Sequence, residues 1–223
     1  MKGGFIMKKY FFFDLDGTLC DTGEGVLNGV IFALSHFGIN VTDKASLGGF
    51  MGPPLDDSFR RFFGFNDEQA SEAVKIYRDY YSETGVLEFT PYDGIKELLI
   101  SLKNDGRKLF IATSKPVFYA NKVLDKCGFS KYFDGIYGSE FDGTRSKKID
   151  VLRYAVVQSG ISDLNEGVMI GDREYDIIGA KTVGLESVGI LFGYGSREEF
   201  EACGADHIFA KPSEIYDCFV AGK

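Results

Sequence analysis

Two aspartates two residues apart stand in the run Asp14-Leu15-Asp16-Gly17-Thr18, directly behind the most hydrophobic segment of the chain, Tyr10-Phe11-Phe12-Phe13. Carboxylates this close repel, so the pair costs stability unless a cation sits between them or one of them is protonated. At the C-terminal end of a parallel strand both would face the crevice where α/β proteins bind ligands. Gly17 permits a tight turn there. The same residues would also serve an ordinary Asp-Gly turn.

Three further groups repeat the theme of polar residues at a strand end. In Gly171-Asp172-Arg173-Glu174-Tyr175-Asp176 one aspartate stands at the turn and another one helical turn later, so both can reach one metal site. Helix N-terminal acidity alone would account for Asp176. In Thr113-Ser114-Lys115-Pro116 two hydroxyls precede a helix start, which makes either an anion site or a simple N-cap. Lys147-Lys148 opens another helix, where a positive charge is unfavourable, so one of the two is expected to face an anion and the other to be solvated.

The elements that must position these groups are legible as alternation. Short apolar runs at residues 10–13, 108–113, 134–137, 167–170, 187–191 and 207–210 predict strands, and their all-round hydrophobicity suits a parallel sheet covered on both faces. Between them, helices are predicted over 94–104, 116–127, 147–159, 175–183 and 197–202, with Pro212-Ser213 opening a last one. In the first of these, Ile95, Leu98, Leu99 and Leu102 recur on one face. Residues 22–89 break the alternation. They carry helical patterns over 26–37, 55–63 and 67–83 and no buried strand, so they read as an inserted helical module rather than a loop. The predicted division is a core of 1–21 and 90–223 with a helical domain of 22–89.

Composition narrows the function classes. The 223 residues are 44% hydrophobic and carry a net charge of −8, which disfavours nucleic-acid polymers and anionic membrane surfaces as partners. An anionic substrate must then be met by local features: a metal, a lysine or a helix N-terminus. Four scattered cysteines without a CxxC pair, and only two histidines, give no zinc-type cluster and suit reduced thiols. No segment reaches transmembrane length, and the N-terminal apolar stretch is too short for a secretory signal. Met7 is an alternative start, with residues 1–6 an extension. The expected setting is soluble and cytoplasmic, with no oligomer indicated.

Taken in order, acidic pair, hydroxyl, lysine and GDxxxD resemble the haloacid dehalogenase-like hydrolase superfamily over essentially the whole chain. The resemblance implies a Rossmann-like α/β core with a small all-helical cap inserted after the first strand, as in the phosphoglycolate phosphatase-like and β-phosphoglucomutase-like branch. It further implies that Asp14 is a nucleophile forming an aspartyl-phosphate, and that Asp16 is general acid and then general base. Mg2+ would be held by Asp14, the backbone carbonyl of Asp16 and Asp172, with Asp176 supporting from behind. Thr113 and Ser114 would bind the phosphoryl group and Lys148 neutralise it; Lys148 is chosen over Lys147 because the following Ile-Asp-Val-Leu resembles the family's usual run. Ser114 stands where relatives often have Asn, which leaves its side-chain role open.

Related dehalogenases lack an acid two residues after the nucleophile and P-type ATPases carry Thr there. Asp16 therefore points to phosphatase or phosphomutase chemistry. The expected reaction is Mg2+-dependent hydrolysis of a small phosphorylated metabolite, with phosphoglycolate suggested by the similarity of the loop at residues 49–55 to that branch. A 5′-nucleotidase, a pyrophosphatase, a β-phosphoglucomutase-type mutase and a catalytically silent phosphate-binding module are the alternatives. Arg60, Arg61 and Arg78 could meet a second anionic group of the substrate or simply be solvated.

Overall fold

The computed structural model describes residues 7–51 and 55–222; the extension at 1–6 and positions 52–54 of the loop at 49–55 lie outside the described residues. The chain forms two compact units, one of Met1–Asp21 with Pro91–Lys223 and one of Thr22–Thr90.

In chain order the first unit's strand β1 (Tyr10–Phe13) is followed by β2 (Cys20–Asp21), and then by the helices of the second unit: α1 (Gly23–His36), α2 (Leu55–Phe63) and α3 (Asp67–Glu83). After β3 (Thr90–Pro91) come α4 (Ile95–Asn104), β4 (Lys108–Pro116), α5 (Val117–Cys127), β5 (Gly135–Ser139) and α6 (Lys148–Ser159). Next are β6 (Gly167–Gly171), α7 (Glu174–Val183), β7 (Glu186–Ile190), α8 (Arg197–Ala202), β8 (His207–Phe209) and α9 (Pro212–Tyr216). Six strands make one parallel sheet in the order β5-β4-β1-β6-β7-β8. β1 lies at its centre because its side chains are apolar on both faces. Phe12 packs with Phe110, Met169, Val151 and Leu152 on one side. Phe11 and Phe13 point to the other, against Phe219 and Phe133. Each fully buried ring of this kind stabilises the fold by roughly 1.5–3 kcal/mol.

Register carries the polar residues to one edge. Phe13 pairs with Ile111 on β4 and with Ile170 on β6, and the Asp14 amide donates to Ile170 O at 2.9 Å. Asp14, Thr113 and Asp172 therefore leave neighbouring strands at the same end of the sheet. This is the switch point of an open α/β sheet, where successive crossovers go to opposite sides and leave a crevice.

Of the boundaries that differ from the sequence expectation, two lie at the site. β4 runs on through Pro116 rather than stopping at Thr113, after an irregularity in its pairing with β5, and Pro116 precedes α5 instead of opening it. Lys147 is the extended N-cap of α6, so Lys148 is its first helical residue.

In the second unit, Asn66 and Gln69 form a reciprocal capping box that starts α3. Gly29 on α1 lets α3 approach closely, since a Cβ there would lie 2.8 Å from the Tyr77 ring. Tyr77 and Tyr81 are buried and stacked at 5.3 Å, so they serve packing. Arg60 is held by Asp56, Asp57 and Asp67 at 2.6–3.1 Å. Among the described residues no helix is long and apolar enough to cross a membrane.

Candidate active site

Asp14, Asp172 and Asp176 each present a carboxylate oxygen, and these oxygens lie within 4.8 Å of one another. Asp172 and Asp176 are buried and the Asp14 side chain is 13% exposed. Two of these three carboxylates meet one ammonium. Lys148 Nζ is 2.8 Å from both Asp14 Oδ1 and Asp176 Oδ1, and it donates to Ala112 O at 3.0 Å. Lys147, one residue earlier, is exposed.

Neighbouring loops hold the cluster in shape. Asp172 accepts from Thr18 Oγ1 (3.2 Å) and from the Tyr194 amide (3.0 Å). Asp176 stands in the first turn of α7, where its other oxygen accepts from the Arg173 amide at 3.1 Å. Glycine is required at Gly17 for two reasons: φ is +76°, and a Cβ would lie 2.1 Å from Asp172 Oδ2. Gly193 is a second close approach, since its Cβ would lie 2.2 Å from Gly17 O.

The electrostatics follow from burial. Desolvation pushes the Asp14 carboxyl up to about 6; Lys148 opposes this and Asp176 adds to it. Desolvation, then Asp176 and Asp14, hold Asp172 well above the usual carboxylate range. Burial alone would lower the Lys148 ammonium, yet Asp14 and Asp176 together keep it above the ordinary lysine range. With all groups ionised the cluster has two negative charges in excess. Asp14 Oδ1 and Asp176 Oδ1 are moreover buried, and among the described residues the Lys148 ammonium is the partner that meets them. An all-oxygen donor set with a charge excess of two suits a hard divalent cation such as magnesium.

Asp16 is separate from this trio. Its carboxylate faces Lys115, whose Nζ lies 2.8 Å from Oδ1 and 3.1 Å from Oδ2. Thr113 is buried, with Oγ1 accepting from the Lys115 amide at 3.2 Å. Ser114 is exposed, and its carbonyl accepts from Ser139 Oγ at 2.8 Å, which ties β4 to the end of β5. The two aspartates of the opening run thus occupy different electrostatic settings. The arrangement can offer a buried nucleophilic carboxylate beside a cation site, and a more accessible carboxylate for proton transfer.

Sequence reasoning did not single out Lys115, the Tyr194 amide or the Thr18 hydroxyl as partners of the acids. Tyr194 lies between two glycines, Gly193 and Gly195, and that spacing was an available signal of a backbone pressed against a site.

The haloacid dehalogenase-like hydrolase family matches residues 11–190, and the chain belongs to it. A 5′-nucleotidase of Pseudomonas aeruginosa is 41% identical over 198 residues, covering 89% of each protein. The tyrosine-protein kinase PtkA of Mycobacterium tuberculosis is 38% identical over 187 residues, covering 83% of this chain and 63% of that protein. A Clostridium difficile crystal structure, described as a phosphatase by prediction, superimposes with a TM-score of 0.92 at 40% identity. It covers 96% of this chain and 99% of that one. The phosphatase relatives and the Rossmann-like sheet identify the chain as a phosphoric monoester hydrolase.

Proposed function

We propose that this hydrolase is a magnesium-dependent phosphatase that passes the phosphoryl group of a nucleoside 5′-monophosphate to Asp14 and then to water. The observation that carries the mechanism is the buried Asp14–Asp172–Asp176 cluster, with Asp16 held apart from it. An Asp14 oxygen attacks phosphorus in line; the O–P bond to the ester oxygen breaks as Asp16 gives that oxygen a proton. Water then attacks the aspartyl-phosphate, Asp16 takes the water's proton, and the P–O bond to Asp14 breaks to restore the carboxylate. The Thr113 hydroxyl and the Lys148 ammonium stabilise the charge on the phosphoryl oxygens. Magnesium, when bound, would neutralise charge between nucleophile and phosphoryl group. We assign it to Asp14, Asp172 and the backbone carbonyl of Asp16, with Asp176 acting through Lys148. Four unbridged cysteines fit a reducing, cytoplasmic setting, and the helical unit of Thr22–Thr90 is read as the cap that sets specificity.

The substrate reading rests on the 5′-nucleotidase relative and its matched length. The phosphoglycolate reading has less support. It depends on the loop at 49–55, and Arg60, one arginine proposed to meet a second anion, is engaged by three aspartates. The test is phosphate release from nucleoside 5′-monophosphates, phosphoglycolate and pyrophosphate, with magnesium and with EDTA. Faster turnover of phosphoglycolate than of every nucleotide would overturn the substrate. Release undiminished by EDTA would overturn the metal.

The metal assignment also predicts a stability change. A carboxyl moved from 3.8 to about 6 on folding favours the folded state below about 4 and loses that contribution as the pH rises through about 6, to the extent of about 3 kcal/mol. A cation that relieves this repulsion acts only on ionised carboxylates. Magnesium is therefore expected to raise the melting temperature by several degrees at pH 7 and by almost nothing at pH 4. Equal shifts at both pH values in scanning fluorimetry would count against a carboxylate site.

A further inference from the structure

The site contains two lysines with nearly buried side chains, and they are engaged by different acids. Lys148 is shared by Asp14 and Asp176. The Lys115 side chain is 6% exposed, and its ammonium contacts both oxygens of Asp16. We infer that Lys115 is a positioning residue: it holds the ionised Asp16 carboxylate in the orientation from which Asp16 takes the proton of the water that attacks the aspartyl-phosphate. The inference deepens the proposed mechanism and rests on its assignment of Asp16.

The asymmetry of the two anchors supports this. Asp16 lies in a turn whose next residue, Gly17, is left-handed at φ +76°. Its side chain is 29% exposed, so water could solvate it in several rotamers. The lysine's backbone has no such freedom. Its amide donates to Thr113 Oγ1, the preceding carbonyl accepts from Ser139 Oγ, and β5 presses so close that a Cβ on Gly138 would lie 2.5 Å from Lys115 O. A fixed cation touching both oxygens of a mobile carboxylate defines that carboxylate's plane. An ammonium this buried also needs an anionic partner, since an unpaired buried charge is strongly destabilising. Among the described residues Lys115 makes an ion pair with Asp16 at 2.8 Å. Orientation of a proton-transfer group within hydrogen-bond reach of its target is what general acid–base catalysis requires.

The test is a double-mutant cycle with Lys115→Met, Asp16→Asn and the pair, each assayed with magnesium. The substrate is p-nitrophenyl phosphate, whose leaving group needs little help from an acid, so the slow variants remain measurable. Lys115→Met keeps the aliphatic stem and leaves Asp16 exposed enough to be solvated, and a melting curve verifies its fold. In the otherwise native enzyme Lys115→Met is expected to lower kcat about 10-fold and to change KM less than 3-fold, because Lys148 and Thr113 hold the phosphoryl group. In the Asp16→Asn background the same substitution is expected to change kcat less than 2-fold. Equal losses in both backgrounds would show a structural role or direct phosphate contact, and would overturn the inference; so would native kcat in Lys115→Met. Should Lys115→Met not fold, Lys115→Gln enters the same cycle with the same criteria. The two readings separate cleanly. Full activity in Asp16→Asn removes the assigned role of Asp16 as the base for water, the role that this substrate leaves to it. A loss in Asp16→Asn together with no loss in Lys115→Met removes only the positioning.

Discussion

Asp14→Asn will lower phosphate release by about four orders of magnitude or more, the scale seen when a covalent nucleophile is removed. The amide keeps the shape of the carboxylate but lacks the anionic oxygen that forms the aspartyl-phosphate. The loss will not come from unfolding. Burial pushes the Asp14 carboxyl up to about 6, and Asp176 adds to that strain, so a neutral side chain relieves repulsion at neutral pH. Lys148 retains Asp176 at 2.8 Å as its partner. The variant should therefore melt no lower than the native protein in metal-free buffer. Acid-quenched native enzyme should yield phosphate bound to protein, and the variant should yield none. Undiminished magnesium-dependent activity in Asp14→Asn would sink the mechanism.

Asp172→Asn tests the metal rather than the nucleophile, and its signature differs. Asp172 accepts from Thr18 Oγ1 and from the Tyr194 amide. An asparagine can satisfy both places, with its oxygen toward Tyr194 N and its amide donating to the Thr18 hydroxyl. The loop should therefore survive. A carboxylate that burial and two neighbouring acids hold well above its usual range is removed, so metal-free stability at pH 7 should rise. Magnesium affinity should fall about 100-fold or more, since even indirect supports of a metal cost 10–100-fold. Turnover will then depend on magnesium concentration and recover in part at high metal, whereas Asp14→Asn will not recover at any concentration. Calorimetric titration of magnesium into both variants separates the two. An Asp172→Asn protein with native magnesium affinity would remove this residue from the metal site.

Much of this was legible along the chain. The run Tyr10–Phe13 reads as a strand buried on both faces because three consecutive phenylalanines cannot all be covered on one side of a pleated strand. Their rings do divide between two cores. The parallel α/β class follows from strand and helix patterns alternating within one chain. Boundaries were less legible where local signals compete. Pro116 has the chemistry of a helix start, yet pairing with Ser139 keeps it in the strand. Inter-strand hydrogen bonding is a non-local term that no local propensity contains.

The sequence alone determined which residue types stand at the strand ends, in what order, and hence the family and phosphoryl-transfer class. Periodicity and turn chemistry are local, and they are written in the residues themselves. The partnerships were decided only by the tertiary structure. Lys148 reaches Asp14 and Asp176, where Lys147 is exposed. Lys115 reaches an aspartate 99 positions away, and Asp172 is capped by an amide 22 positions on. Sheet order and register bring such groups within 3 Å, and burial then makes each pairing strong enough to give two aspartates of one short motif different environments.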